Sequence, residues 1–261
     1  MNLLQAAILG AIQGVTEWFP ISSSAHLVLI QDLIGSSSVL LDAVVHGGTL
    51  LPVLLVFRRE IFDVIVGFLR SLLLIGRVDF SELPYECRLP WYVVIGTLPV
   101  VMMGFLLADR VESLFLSREV AGLGLLVTGA LLLSTKWSKS KSDLDLKRAI
   151  IIGVVQAAAL VPGISRSGST ISAGLLSGLS KEEALKFSFL LSIPALAGAV
   201  AFEVMRAPQT EVMSPVNLAG FLSSCLVGFI AIKTLINFMK KGKLHWFSYY
   251  CFILGALAIV L

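Results

Sequence analysis

Charged side chains are scarce in this sequence: they make up 14% of its residues, whereas a soluble domain carries roughly 25%. Hydrophobic residues make up 57% and the mean hydropathy is +0.92, so the lipid bilayer is the natural solvent for the chain. The three cysteines are scattered and show neither a disulfide framework nor a zinc-ligand spacing. The apolar run that begins at Leu3 has no basic segment ahead of it, and we therefore expect no cleavable signal peptide.

Long apolar stretches are abundant, and six of them approach the length of about 20 residues that a transmembrane helix needs. These predicted spans are 40–57, 91–107, 119–135, 184–204, 216–236 and 247–261. Two more apolar regions, 3–35 and 149–180, are each interrupted by a polar cluster. Segment 61–75 contains Asp63 and Arg70, and we expect it to form an interfacial or half-buried helix.

Basic residues in the short loops predict the orientation, because such loops face the cytoplasm. The loops rich in Lys and Arg are 58–90, 136–148 and 237–246, and the poorer ones are 108–118 and 205–215. With the rich loops inside, region 149–180 must leave the inner face and return to it. It is therefore predicted to be a re-entrant hairpin, and 3–35 is expected to enter from the outside in the same way.

The two interrupted regions resemble each other. Six residues match at an offset of 143 positions: Ile8, Gly10, Gln13, Ile21, Ser22 and Ser24 correspond to Ile151, Gly153, Gln156, Ile164, Ser165 and Ser167. Inverted-topology repeats of this kind place broken helices near the bilayer midplane. We therefore predict an all-α integral membrane protein with about six transmembrane helices plus two re-entrant helical hairpins, arranged as an inverted-topology repeat. It would form a single membrane domain, 1–261, with repeat 1 at about 1–135 and repeat 2 at about 147–261.

The first polar cluster runs from Gln13 to His26. Gln13 and Glu17 are four residues apart and share one helix face, and Pro20 is expected to end that helix. Ser22, Ser23 and Ser24 then stand where the next helix begins, and the free N–H groups of a helix start attract anions. Ser23 and His26 are three residues apart, so on a helix they share one face, and His26 could act as the base for an attacking Ser23. The alternative is attack by a metal-bound or histidine-activated water, with Ser23 as a hydrogen-bond donor only.

The second polar cluster runs from Pro162 to Thr170 and is centred on Arg166. An arginine inside a membrane segment costs about 2.5–3.5 kcal/mol, so it is usually retained for an ion or a partner. Its planar fork suits two oxygens of one phosphate. Taken singly, serine runs are often loops and a lone histidine is often a packing residue; the two clusters together favour a phosphate-handling site. The segment His46-Gly47-Gly48-Thr49 is ambiguous, because its glycines are also compatible with helix packing.

Both clusters closely resemble the motifs of the undecaprenyl-diphosphatase family, the bacitracin-resistance membrane phosphatases, and the resemblance covers nearly the whole chain. It implies hydrolysis of undecaprenyl pyrophosphate to undecaprenyl phosphate and inorganic phosphate, which recycles the lipid carrier of peptidoglycan and cell-wall synthesis. By the same resemblance Glu17 is the essential acid, Ser23 the nucleophile, His26 the essential histidine and Arg166 the pyrophosphate-binding arginine. The implied substrate-binding residues are Gln13, Ser22, Ser24, Ser165, Ser167 and Thr170. Gln13 stands where many members have a second glutamate, which weakens any model with two carboxylates on one metal.

The resemblance also implies a divalent cation, Mg²⁺ or Ca²⁺, with Glu17 as the candidate metal ligand. The expected partners are the polyprenyl pyrophosphate lipid and the bilayer, with no nucleic acid, and the choice between monomer and homodimer stays open. The expected location is the cell membrane, with the active site opening to the outer face. The main alternative is a polyprenyl-phosphate flippase, since inverted repeats with broken helices also build transporters. A non-catalytic lipid-binding scaffold is a third possibility.

Overall fold

The computed structural model describes residues 1–35, 38–74, 76–115, 117–140 and 142–260. Within these ranges 83% of the chain is in helices and there is no strand. In chain order the helices are α1 (Leu3–Trp18), α2 (Ser23–Ile34), α3 (Val39–Val56), α4 (Arg58–Leu74), α5 (Tyr85–Leu106), α6 (Ala108–Leu114), α7 (Arg118–Ser134), α8 (Leu146–Ala158), α9 (Arg166–Leu176), α10 (Lys181–Arg206), α11 (Gln209–Val212), α12 (Pro215–Lys240) and α13 (Phe247–Val260). The prediction of an all-α integral membrane protein is confirmed.

Five helices are long and apolar enough to cross a membrane: α3, α5, α7, α10 and α12. They coincide with five of the predicted spans, extending some of them by a few residues. The sixth predicted span forms α13, whose 14 residues are fewer than the roughly 20 that a full crossing needs. Leu261, the last residue of that predicted span, lies outside the described residues. Residues 61–74 of the segment 61–75 fall within the separate helix α4, and Ile75 lies outside the described residues.

The two interrupted regions form helical hairpins, α1–α2 and α8–α9, here called the first and the second hairpin. In the first, Phe19 adopts an extended backbone (φ −65°, ψ 142°), as the residue before a proline tends to do, and α1 ends there. In the second, Gly163 follows Pro162 with a φ of +91°, in the left-handed region that glycine adopts without strain. A short turn at these positions reverses each chain.

Each hairpin packs against a long helix of the other half of the chain. On α1, a methyl group added to Gly10 would lie 2.2 Å from the carbonyl oxygen of Gly220 in α12. On α8, one added to Gly153 would lie 2.4 Å from the carbonyl oxygen of Gly96 in α5. Small residues at membrane helix crossings allow this close approach of the backbones. The two halves therefore interleave, while the exact repeat bounds of 1–135 and 147–261 stay a prediction.

An aromatic cluster packs against the end of α1 and positions the first hairpin against α10. The ring of Phe189 from α10 packs edge-on against Trp18 and against Phe57, with centroid distances of 5.0 Å in both pairs. All three side chains are buried, so the polar residues next to Trp18 are held in the interior.

The loop charges predict which face each connection reaches, and single cysteines test this. In a variant lacking Cys87, Cys225 and Cys251, a cysteine placed at Ser113 or Thr210 should react with an impermeant maleimide added to intact cells. A cysteine at Ser140 should react only after the membrane is opened. All three positions are exposed, so a difference in labelling would report the side of the membrane and not burial. Equal labelling of the three in intact cells would contradict the predicted topology.

Candidate active site

The polar clusters of the sequence lie at the tips of the two hairpins, and the tips touch. The Gly163 N–H donates to the Ser24 hydroxyl across 3.3 Å, and the Ser167 hydroxyl donates to the Phe19 carbonyl across 3.4 Å. Thr128 of α7 holds the second tip: its hydroxyl donates to the Gly163 carbonyl (2.8 Å) and accepts from the backbone N–H of Ser165 (2.9 Å). Residues almost 150 positions apart in sequence are thereby brought into one site.

Glu17 is the centre of this site, and both of its carboxylate oxygens are engaged. Oε1 accepts a hydrogen bond from Nη2 of Arg166 at 2.5 Å. Oε2 accepts from Nε2 of Gln13 at 2.9 Å and from the Ser23 hydroxyl at 2.7 Å. The structure thus brings together the predicted acid, the predicted nucleophile and the predicted phosphate-binding arginine.

The Glu17–Arg166 ion pair is buried, with side-chain exposures of 5% and 15%. A buried charge needs a partner, and each of these two ions supplies the partner of the other. The guanidinium also lies 5.5 Å from the centroid of the Trp18 ring. Its second terminal nitrogen, Nη1, is buried and has no hydrogen-bond partner among the described residues. Nη2 of Arg166 therefore donates to Glu17, while Nη1 is left to donate to a ligand.

His26 is held in a different way from the sequence-based expectation. Its Nδ1 lies 2.7 Å from the Ser22 carbonyl oxygen, and its Nε2 lies 2.7 Å from the Tyr250 hydroxyl. Because a carbonyl only accepts, Nδ1 carries the hydrogen, and in the neutral ring Nε2 accepts from Tyr250. The expected pairing of His26 with Ser23 is wrong in this structure, since both ring nitrogens have other partners and the Ser23 hydroxyl donates to Glu17.

The remaining predicted binding residues line or support the tips. Ser22 caps α2 at a positive φ of 64° and shares a hydrogen bond of 3.0 Å with Ser24. Ser165 caps α9, and its hydroxyl lies 3.2 Å from that of Ser167. Thr170 is fully buried and lies 2.6 Å from the Ser188 hydroxyl of α10. Its contacts are those of a residue that joins α9 to α10, while substrate binding by the group stays a prediction.

Comparison with known proteins shows the family of the chain. The family model described as bacitracin resistance protein BacA matches residues 6–257. The chain belongs to the BacA family. A curated protein of Korarchaeum cryptofilum named undecaprenyl-diphosphatase is 51% identical over 98% of this chain and 97% of its own length. Proteins of the same name from Methanosphaera stadtmanae and Carboxydothermus hydrogenoformans are each 40% identical over 100% of this chain and 98% of their own lengths.

The described residues of this BacA chain do not form a metal cage from their own side chains. Among the described residues, no group of three His, Cys, Asp or Glu side chains could hold a metal ion. Glu17 already binds Arg166, Gln13 and Ser23, and a Mg²⁺ or Ca²⁺ ion prefers several oxygen ligands. The one free acceptor nearby is Oε1 of Gln13, which is buried without a partner among the described residues. These residues do not fit a cation that the protein holds by itself.

The sequence analysis assigned no role to three residues of the site: Thr128, His46 and Tyr250. Thr128 and Tyr250 come from α7 and α13, which carry no recognisable polar motif. His46 lies in α3, with Nε2 at 3.6 Å from Oε2 of Glu17. A histidine within an apolar span is itself a signal for function, by the argument already applied to Arg166. That argument would have resolved the ambiguous segment around His46.

We expect Tyr250→Phe to slow turnover about three- to tenfold, the effect of one ordinary hydrogen bond. The change keeps the ring, which stacks on His26 at a centroid distance of 5.7 Å, and removes only the hydroxyl that binds Nε2. Tyr249→Phe is the matched control, because the neighbouring Tyr249 is 55% exposed. The measurement is phosphate release at saturating lipid substrate. Equal rates for the two variants would show that the Tyr250–His26 contact does not contribute.

Proposed function

We propose that this chain is an undecaprenyl-diphosphatase, which hydrolyses undecaprenyl pyrophosphate to undecaprenyl phosphate and inorganic phosphate. This activity regenerates the lipid carrier for cell-wall synthesis and gives resistance to bacitracin. The observation that carries the proposal is the convergence of Ser23, Glu17 and Arg166 at the hairpin tips, in a chain that belongs throughout its length to the BacA family. No observation favours the flippase.

An apolar cavity beside the site supports a lipid substrate. Its volume is about 700 Å³, and it lies between the first hairpin and helices α12 and α13. The lining is predominantly apolar and includes Ile12, Val15, Ile30, Val227, Phe238 and Phe247. His26 and Tyr250 also line it, so the cavity reaches the polar site. A prenyl chain bound in this cavity would remain in apolar surroundings, while the diphosphate at its end would lie at the hairpin tips.

The contacts suggest a two-step reaction. The Ser23 oxygen attacks the terminal phosphorus, and its proton passes to Oε2 of Glu17, which already accepts that hydroxyl at 2.7 Å. The bond to the bridging oxygen breaks, and undecaprenyl phosphate leaves. Water then attacks the phosphorus of phosphoserine 23, and one of its protons passes to a phosphate oxygen. The bond from Ser23 to phosphorus breaks, the Ser23 oxygen takes back the proton held by Glu17, and inorganic phosphate leaves. Arg166 is placed to offset the charge of the diphosphate, through the Nη1 group that is free of partners in the described part of the chain.

We further propose that a divalent cation, where one takes part, arrives with the diphosphate. Mg²⁺ is commonly bound through substrate phosphates and one or two carboxylates, and not by a cage made of protein alone. Such a cation would supply additional neutralisation of phosphate charge. The cell membrane is the proposed location, with the site opening outward, as the charges of loops 136–148 and 237–246 favour.

The direct test is phosphate release from undecaprenyl pyrophosphate by the purified protein in detergent, with Arg166→Lys beside it. The parent should release one phosphate per lipid. The lysine variant keeps the charge but loses the planar fork that serves Glu17 and phosphate together. We expect its kcat/KM to fall about ten- to a hundredfold, the effect of a hydrogen bond to a charged group. An inactive parent would refute the function, and a fully active lysine variant would refute the role of the fork.

The serine mechanism predicts a covalent intermediate. Ser23→Ala should nearly abolish turnover, whereas loss of a mere hydrogen-bond donor would cost on the order of 10²–10³ in rate. Rapid acid quenching of the parent should trap phosphate on Ser23, as detected by mass spectrometry, and Glu17→Gln should prevent its formation. Ser223→Ala is the control, because it removes a hydroxyl whose one hydrogen bond within the described residues is to the Ala7 carbonyl. A readily measured rate in Ser23→Ala would instead favour attack by water.

A further inference from the structure

His46 is the one histidine of the site whose second nitrogen faces the carboxylate. Its Nδ1 lies 2.7 Å from the backbone carbonyl oxygen of Asp42, one turn earlier in α3. Its Nε2 points at Oε2 of Glu17 from 3.6 Å, beyond the range of a good hydrogen bond. The side chain is 26% exposed, whereas that of Glu17 is 5% exposed. The Nε2 edge of His46 is thus within reach of an incoming ligand.

The two neighbours of the ring determine where its hydrogens lie. The Asp42 carbonyl can only accept, so Nδ1 must donate. Nε2 faces Oε2 of the Glu17 carboxylate, and an N–H group at this position is attracted to a carboxylate oxygen as it is to a phosphate oxygen. The Asp42 carboxylate is turned elsewhere and accepts from Gln31 at 2.6 Å. His46 thus has one ring nitrogen held by the backbone and the other directed at Glu17.

The two histidines consequently differ in what they offer a ligand. His26 has both ring nitrogens within 2.7 Å of a partner, Ser22 on one side and Tyr250 on the other. His46 has only a loose contact at Nε2. Two nitrogens beside Glu17 are then available to an anion: Nη1 of Arg166, whose Nη2 binds Oε1, and Nε2 of His46, which faces Oε2.

We propose that His46 is a diphosphate-binding residue, which turns its Nε2 toward Glu17 in the free protein and donates a hydrogen bond from that nitrogen to a phosphate oxygen when the lipid is bound. The inference rests on the proposed function, because it takes the ligand of the hairpin tips to be a diphosphate. The transfer needs only a small motion, since no full hydrogen bond to Glu17 has to break. It also leaves Glu17 free on that side to accept the Ser23 proton. Arg166 and His46 thus approach Glu17 through two different carboxylate oxygens, and both can donate to an anionic ligand bound between them.

The test compares His46→Leu and His46→Gln in detergent, with lipid substrate and with inorganic pyrophosphate as a competing ligand. Leucine removes the donor, so KM and the inhibition constant of pyrophosphate should both rise about ten- to a hundredfold, with little change in kcat. Glutamine keeps an amide N–H near the position of Nε2, so both constants should rise much less. His245→Gln, in the loop before α13, is the matched control and should behave as the parent does.

Each other result overturns the proposal. If glutamine is as harmful as leucine and kcat falls in both, His46 carries a proton and does not bind phosphate. If leucine leaves KM and the pyrophosphate constant unchanged, the histidine only packs against Glu17. Arg166→Lys in the same titration tests whether the hairpin tips bind the diphosphate at all. An inhibition constant of pyrophosphate equal to that of the parent would mean that the tips are not the diphosphate site. Glutamine approximates the length of histidine, so it keeps the test valid even where leucine fails to fold.

Discussion

The ion pair between Glu17 and Arg166 is the interaction on which this structure depends. It joins two hairpins that come from opposite halves of the chain, in the interior of a membrane protein. Breaking a buried pair by removing one ion costs about 3–5 kcal/mol, because the other ion is left uncompensated. The pair therefore requires that the two hairpin tips lie in contact, and the packing of the other helices allows this contact. The glycine contacts Gly10–Gly220 and Gly153–Gly96 let each hairpin approach its supporting helix closely.

The same pair prepares the site for an anion. Glu17 takes one terminal nitrogen of Arg166, and the other stays without a partner among the described residues. The guanidinium is thus oriented before any ligand arrives, while a donor is kept in reserve. Preorganised donors of this kind act without a cost of reorganisation at the moment of reaction. Glu17 also accepts the Ser23 hydroxyl, so one carboxylate orients both the phosphate-binding group and the attacking group.

The position of the site between a polar and an apolar region matches the two parts of the proposed substrate. The hairpin tips offer hydroxyl, backbone and guanidinium donors, while the cavity beside them is lined by aliphatic and aromatic side chains. His26 and Tyr250 lie where the two regions meet and bind each other. A lipid diphosphate can therefore be bound at both ends within one continuous space, and only its head group needs polar contacts.

The sequence by itself determined the helical class, five of the long spans and the two interrupted regions, because apolar length and the position of proline are local properties. It also predicted Glu17, Ser23 and Arg166 as residues of one site, since polar groups are costly in lipid and rarely occur there without a function, and the structure brings the three together. The partners of those residues were decided only by tertiary structure. Spacing along one helix favoured His26 as the partner of Ser23, yet the turn at Pro20 brings the Ser23 hydroxyl to Glu17 instead. Thr128, His46 and Tyr250 come from three other helices, and their proximity arises from helix packing, which no local pattern encodes.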